Sequence, residues 1–179
     1  MEPRTPEILL DEGRSAKSRH CLEEARSLFQ QGLGESAQSD DRALRARLFE
    51  ELAYVERSMC DLDAAREHYL QSSEIYRGLD NPLKTAHTIR HAADILREQK
   101  RTDQAVPLYS EALAIYRSHE KTPPLDLANA IRGFALLKED AGDRAQALSL
   151  WREVAELYRL VGIDAGISES ATRIQSLSE

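Results

Sequence analysis

Glycine and proline are scarce in this chain of 179 residues, with 8 and 6 of them, and aromatic residues make up only 6%. So little punctuation leaves room for long helices, and so few aromatics argue against the Val-, Thr- and aromatic-rich runs of β-strands. Cysteine is scarcer still. Cys21 and Cys60 make neither a disulfide framework nor a zinc ligand set, so a reducing compartment is expected. No apolar run approaches the roughly 20 residues that a membrane-spanning helix needs. Ile8, Leu9 and Leu10 are too few for the core of a signal peptide and are followed at once by Asp11 and Glu12, which makes the cytoplasm the expected location.

The signatures of common chemistries are missing as well. There is no Gly-rich phosphate loop, no Gly-x-Ser-x-Gly elbow and no CxxC pair, and the carboxylates are spread along the chain as on solvated helix faces. His87 and His91 are spaced i, i+4 with Asp94 one turn beyond, but Thr88 stands where a zincin needs its general base, so they read as a surface pair and no metal site is assigned. No cofactor and no catalytic activity are expected. A net charge of −7 repels nucleic acid and anionic membranes, and neither is an expected partner.

What is present is a hydrophobic content of 41% and a repeat. The segment from Ala65 through Tyr69 to Ile75, Tyr76 and Arg77 returns forty residues later as Ala105, Tyr109, Ile115, Tyr116 and Arg117. It returns forty-two residues further on as Ala147, Trp151, Leu157, Tyr158 and Arg159. Twelve residues before each of these alanines lies another, Ala53, Ala93 and Ala135, and the same frame extended backwards meets Gly13, Ala25 and Phe29. Small residues twelve apart let two antiparallel helices cross closely, and the bulky ring one turn after the second fills the space toward the next pair. Tyr69, Tyr109 and Trp151 are therefore expected in the core. Hairpins that cannot bury their apolar faces alone would stack into one continuous core.

This pattern of small residue, alanine and aromatic resembles the tetratricopeptide repeat family over about residues 6–161. The period of 40 to 42 residues exceeds the usual 34 or so and is similar to that of long-period members such as kinesin light chains. The resemblance implies an all-α fold, a right-handed α-α superhelix, built as one domain over residues 1–179. Its four hairpins are expected at about 6–38, 41–79, 82–119 and 124–161, with a capping helix at about 164–178. Pro82 and Pro124 suit helix starts; Asn81, Asp143 and Asp164 suit N-caps; and Gly142 and Gly162 suit helix ends. In the last segment Ile167, Ala171, Ile174 and Leu177 form the apolar stripe expected to face the final hairpin.

In the family the first helix of each hairpin lines a concave groove, which implies a protein–protein interaction module or adaptor. Carried over by register, the groove presents Arg47, Glu50, Tyr54 and Arg57 from the second hairpin. The third adds His87, Arg90, His91, Asp94 and Arg97, and the fourth Asn129 and Arg132. The first hairpin would add Leu10, Arg14 and Lys17. The family's two-carboxylate clamp for chaperone tails is broken here by Leu10, Arg14 and Glu51. Two readings of the arginines stand open: a groove of opposite sign to the whole chain that takes an acidic peptide, or a solvated face in which they pair with Glu50, Glu51, Asp94 and Glu139. Tyr54 interrupts the repeat pattern and is the expected aromatic anchor. A structural homo-oligomer formed through end hairpins or the capping helix is the alternative function.

Overall fold

The computed structural model describes residues 4–179, and among them every regular element is helical. In chain order these are α1 (Pro6–Ser18), α2 (Leu22–Glu35), a 3-10 turn at Ser36–Gln38, α3 (Arg42–Ser58), α4 (Leu62–Gly78), α5 (Pro82–Glu98), α6 (Thr102–Ser118), α7 (Pro124–Asp140), α8 (Arg144–Val161) and α9 (Asp164–Ser178). Prolines occupy the first position of α1, α5 and α7, where the missing N–H is an orphan in any case. The carboxylates of Asp41 and Asp143 and the amide oxygen of Asn81 accept from Leu44, Gln146 and Lys84 backbone N–H at 2.8, 3.2 and 3.2 Å, closing three helix starts. Asp164 does not cap: it is the first residue of α9, and Ile163 precedes it without a side-chain hydrogen bond.

The chain divides into two compact units, Met1–Ile95 and Leu96–Glu179. In the first, α1 packs on α2, α2 on α3 and α3 on α4, and α1 also touches α3. Leu9, Phe29, Leu44, Leu48, Leu52 and Val55 form its buried cluster. Ala25, Ala53, Ala65 and Ala93 are fully buried, and a Cβ added to Gly13 would lie 2.4 Å from the Phe29 ring. The small residues are thus points of close helix approach. Burial of a ring such as Phe29 contributes roughly 2–3 kcal/mol, which only that closeness makes available.

One polar insertion interrupts this core. Glu56 is 1% exposed; its Oε2 lies 2.6 Å from Nδ1 of His68 on α4, and Arg26 of α2 approaches its other oxygen at 4.0 Å. The register places Ala16 and Leu96 at the equivalent positions, so a polar contact among three helices replaces an apolar one.

In the second unit α6 packs on α7, α7 on α8 and α8 on α9. Ala105, Ala135 and Ala147 are fully buried, as are Tyr109 and Trp151; the Tyr109 and Phe134 rings meet at 5.6 Å. The face that α9 turns inward only partly coincides with the expected stripe, of which Ile167, Ile174 and Leu177 are half-buried. Gly166 and Ser170 are its buried residues, and Ala171 is exposed. Gly166 lies directly on the Tyr158 ring, where a Cβ would stand 2.5 Å from the nearest ring atom. Ser170 satisfies its buried hydroxyl by donating to the Gly166 carbonyl at 2.7 Å. Close approach to a tyrosine ring, rather than aliphatic bulk, selects the contact.

Candidate partner-binding face

The adjacent carboxylates Glu50 and Glu51 of α3 leave the helix about 100° apart and reach in opposite directions. Glu51 crosses to α1, accepting from Arg14 Nε at 2.7 Å and from Lys17 Nζ. Glu50 crosses to α5, where Lys84 Nζ and His87 Nε2 lie 3.4 and 3.3 Å from its Oε1, and it accepts from the Tyr76 hydroxyl at 3.2 Å. Burial alone would raise the Glu50 pKa. The hydrogen bond with His87 and the charges of Lys84 and His87 outweigh burial and bring it down to about 2. The first helices of three successive pairs are therefore tied through α3.

Between these ties lies a hollow of about 120 Å³, lined by Lys17, Glu50, Glu51, Tyr54, Tyr69, His87 and His91. Tyr54 stands at its rim, 51% exposed, with Lys17 Nζ 4.6 Å from its ring centre. The buried Tyr69 ring stacks on His91 at 5.0 Å, and His87 meets His91 edge-on at 4.6 Å. Tyr69 is both core, as expected, and part of the floor of this hollow.

Arg90 does not reach outward as a free fork. It donates through Nη1 to Asp94 at 2.8 Å and through Nη2 to Nε2 of His91 at 2.7 Å. His91, expected at the surface, is 18% exposed in its side chain. Burial first, and then the cations Arg90, His87, Arg57 and Lys84, hold its pKa well below the ordinary value, so the ring is neutral near pH 7. His87 is engaged with Glu50, and among the described residues no three His, Cys, Asp or Glu side chains gather as metal ligands. Arg47 is exposed on α3.

In the second unit Arg97 lies 3.9 Å from Asp140, and Asn129 accepts from the Tyr158 hydroxyl at 3.1 Å. Arg132 forms a two-pronged pair with Glu169 of α9 at 2.6 and 2.7 Å. Glu139 accepts from the Trp151 indole and from Arg173 at 3.0 Å. Lys84, Asp140 and Glu169 escaped the sequence reading. For Lys84 and Glu169 a signal exists: Arg14 to Glu51 and Arg132 to Glu169 are both separations of 37 residues, and Lys17 to Glu51 and Lys84 to Glu50 are both 34. One repeat less one or two turns of helix joins neighbouring first helices.

The family model described as tetratricopeptide repeat matches residues 44–118. Those residues are tetratricopeptide repeats. Solved structures extend the likeness along nearly the whole chain. BtubC from P. vanneervenii matches 96% of this chain and 70% of its own at TM-score 0.83 and 16% identity. Kinesin-light-chain TPR-like repeats from Podosopora anserina match 99% of this chain and 97% of theirs at TM-score 0.70 and 16% identity. A Rap protein complexed with competence and sporulation factor matches 96% of this chain at TM-score 0.76 and 13% identity, and the chain spans 48% of that protein's length. At such identities the likeness shows the fold, the all-α TPR-like repeat class expected of a long-period tetratricopeptide array. No curated protein matches the sequence. No helix among the described residues is long and apolar enough to cross a membrane.

Proposed function

We propose that the chain is a non-catalytic adaptor that holds a segment of another protein against its first helices, and that the segment is acidic. The observation that carries this reading is the hollow bordered by Lys17, Tyr54 and His87. It offers an exposed aromatic anchor in a field where cations outnumber the carboxylates beside them. Glu51 is shared by Arg14 and Lys17, and Glu50 by Lys84 and His87; the charges of Arg90, Arg57 and Lys84 act on His91. The positive potential helps to lower the pKa of Glu50 and adds to burial in lowering that of His91. A partner carboxylate gains from that potential, and Tyr54 gives its neighbouring side chain a surface to cover. Of the remaining groove residues, Arg47, Arg57, Arg90 and Asp94 are assigned to shaping and charging this face of the first unit, and Arg97, Asn129 and Arg132 to the first helices of the second unit. The Rap protein held with competence and sporulation factor supports partner binding on such a fold. The exposed, unbonded Cys21 and Cys60 suit a reducing cytoplasm.

The test is affinity capture by the immobilised full chain compared with Tyr54→Ala and Arg47→Ala. Partners that use this face should fall about ten- to a hundredfold in recovery with Tyr54→Ala, the loss of a typical aromatic anchor. They should also elute early as salt shortens the screening length. Recovery indifferent to both substitutions and to salt would remove this face from the account.

A further inference from the structure

A different face of α3 carries an opening that the repeat does not require. The register aligns Leu9, Phe49, Ile89 and Ile131; the three aliphatic residues are at most 2% exposed, whereas Phe49 is only half-buried. Its ring stacks on His68 at 5.6 Å, where the first and fourth pairs have Leu28 and Leu150. Beside the ring lies a hollow of about 380 Å³ between α3 and α4, lined by Ser39, Arg42, Arg45, Phe49, Gln71, Glu74 and Ile75. Arg42, Arg45 and Phe49 follow one another at i, i+3 and i+7, a stripe well over 90° around the helix from that of Arg47, Glu50 and Tyr54. The two surfaces are distinct.

Charge distinguishes them too. Arg14, Arg90 and Arg132 are committed to carboxylates of the chain itself. Arg45 instead lies over the Phe49 ring at 5.7 Å, and Arg42 rests against Gly78, whose missing side chain gives it room. Among the described residues neither has a carboxylate partner. The one acid on the rim, Glu74, is held by Arg77 at 2.6 Å. An apolar floor beside two uncommitted arginines suits a ligand that is apolar at one residue and anionic within a helical turn of it.

We propose that this hollow is a second docking surface, which takes an amphipathic acidic segment of a partner protein. An apolar side chain sits between Phe49 and Ile75, and an Asp or Glu close to it is held by Arg42 and Arg45. The assignment does not depend on the role of the Tyr54 face. An adaptor with two such surfaces on opposite sides of one helix can hold two segments at once, and the combined binding exceeds either contact alone.

The test titrates three synthetic helical peptides into the full chain and follows backbone amide shifts by NMR: one of repeating Glu-Leu-Leu-Glu units, one of Lys-Leu-Leu-Lys units and one of Glu-Ser-Ser-Glu units. The Glu-Leu peptide should bind and shift amides around Phe49 and Ile75, with the other two at least tenfold weaker. Arg45→Glu and Ile75→Lys, each with unchanged circular dichroism, should each weaken it at least tenfold, while Tyr54→Ala leaves this binding intact. The proposal is overturned if the Glu-Leu peptide does not bind, if the Lys-Leu or Glu-Ser peptide binds equally well, or if both substitutions leave binding unchanged. A concentration-dependent dimer in sedimentation that Arg45→Glu dissolves would give the hollow to a second copy of the chain and overturn the assignment to a partner.

Discussion

Helix ends in this chain share one backbone device. Gly142 and Gly162 adopt left-handed φ of 76° and 71°, but His20, Cys60, Asp80 and Lys100 adopt the same conformation at 61°, 64°, 52° and 59° without glycine's freedom. After Cys60 the backbone closes as at a glycine stop, with Cys60 N–H donating to Arg57 O at 3.0 Å and Asp61 N–H to Glu56 O at 2.9 Å. The geometry of the three-residue turn is imposed, and the side chain bears the cost. Because Cys60 is exposed and unbonded, Cys60→Gly removes strain and loses little contact. We expect it to stabilise the chain by about 0.5 kcal/mol, strain relief less the added flexibility of the unfolded chain. That is a rise of about 1–2 °C in melting temperature. Cys60→Val, which tolerates this conformation less well, should lower it. The glycine stops were legible in the sequence; the other four were not, since Cys and Lys carry no preference for a left-handed turn and that of His and Asp is too weak to mark one.

At the scale of the element, the small residue matters for what it leaves empty. Gly13 faces a fully buried Phe29 ring, which cannot move aside without opening the core. Gly34, on α2, has nothing within 4 Å of where its Cβ would stand. The same substitution therefore has opposite signs at the two places. Gly34→Ala gains helix propensity of about 0.5–1 kcal/mol. Gly13→Ala gains the same but forces overpacking of roughly 1–3 kcal/mol, and a net loss is expected. Thermal melts of the two variants side by side check this, and equal shifts would refute it. The spacing of these residues makes the helical repeat legible in the sequence. The aliphatic spacing on α9 marks half-buried residues, Ile167, Ile174 and Leu177, but not the buried Gly166 and Ser170, which are small and carry no hydrophobic signal. The candidate residues lie on the first helices that their register implies, and the pairing of arginines with Glu51 and Asp94 was one of the two open readings; the pairings that involve Lys84, Asp140 and Glu169 were not. Ion pairs 34 or 37 residues apart follow from stacking, which no local pattern encodes.

On the whole molecule the net charge is −7, yet carboxylates are the shared members of its interhelical ties in both units. Glu51 and Glu50 bind α1 and α5 to α3. Glu139 and Glu169 bind α7 to α9. Acid should therefore loosen the stack by protonating the acceptors, and Glu50 shows where. Its pKa is about 2 in the folded chain against an ordinary 4.5, so the folded state favours the ionised form. The resulting stability is complete above about pH 5 and is lost as the pH falls through 4.5 toward 2. The shift sets an upper bound of about 3 kcal/mol, reduced because Lys84 is 47% exposed and its charge is screened by water. Glu50→Gln should thus be less stable than the parent by roughly 1–2 kcal/mol at neutral pH, and the gap should narrow steadily in acid. Urea denaturation at about pH 7 and about pH 3 measures both gaps. A gap of the same size at the two values would mean that Glu50 supports the stack through packing and not through its charge.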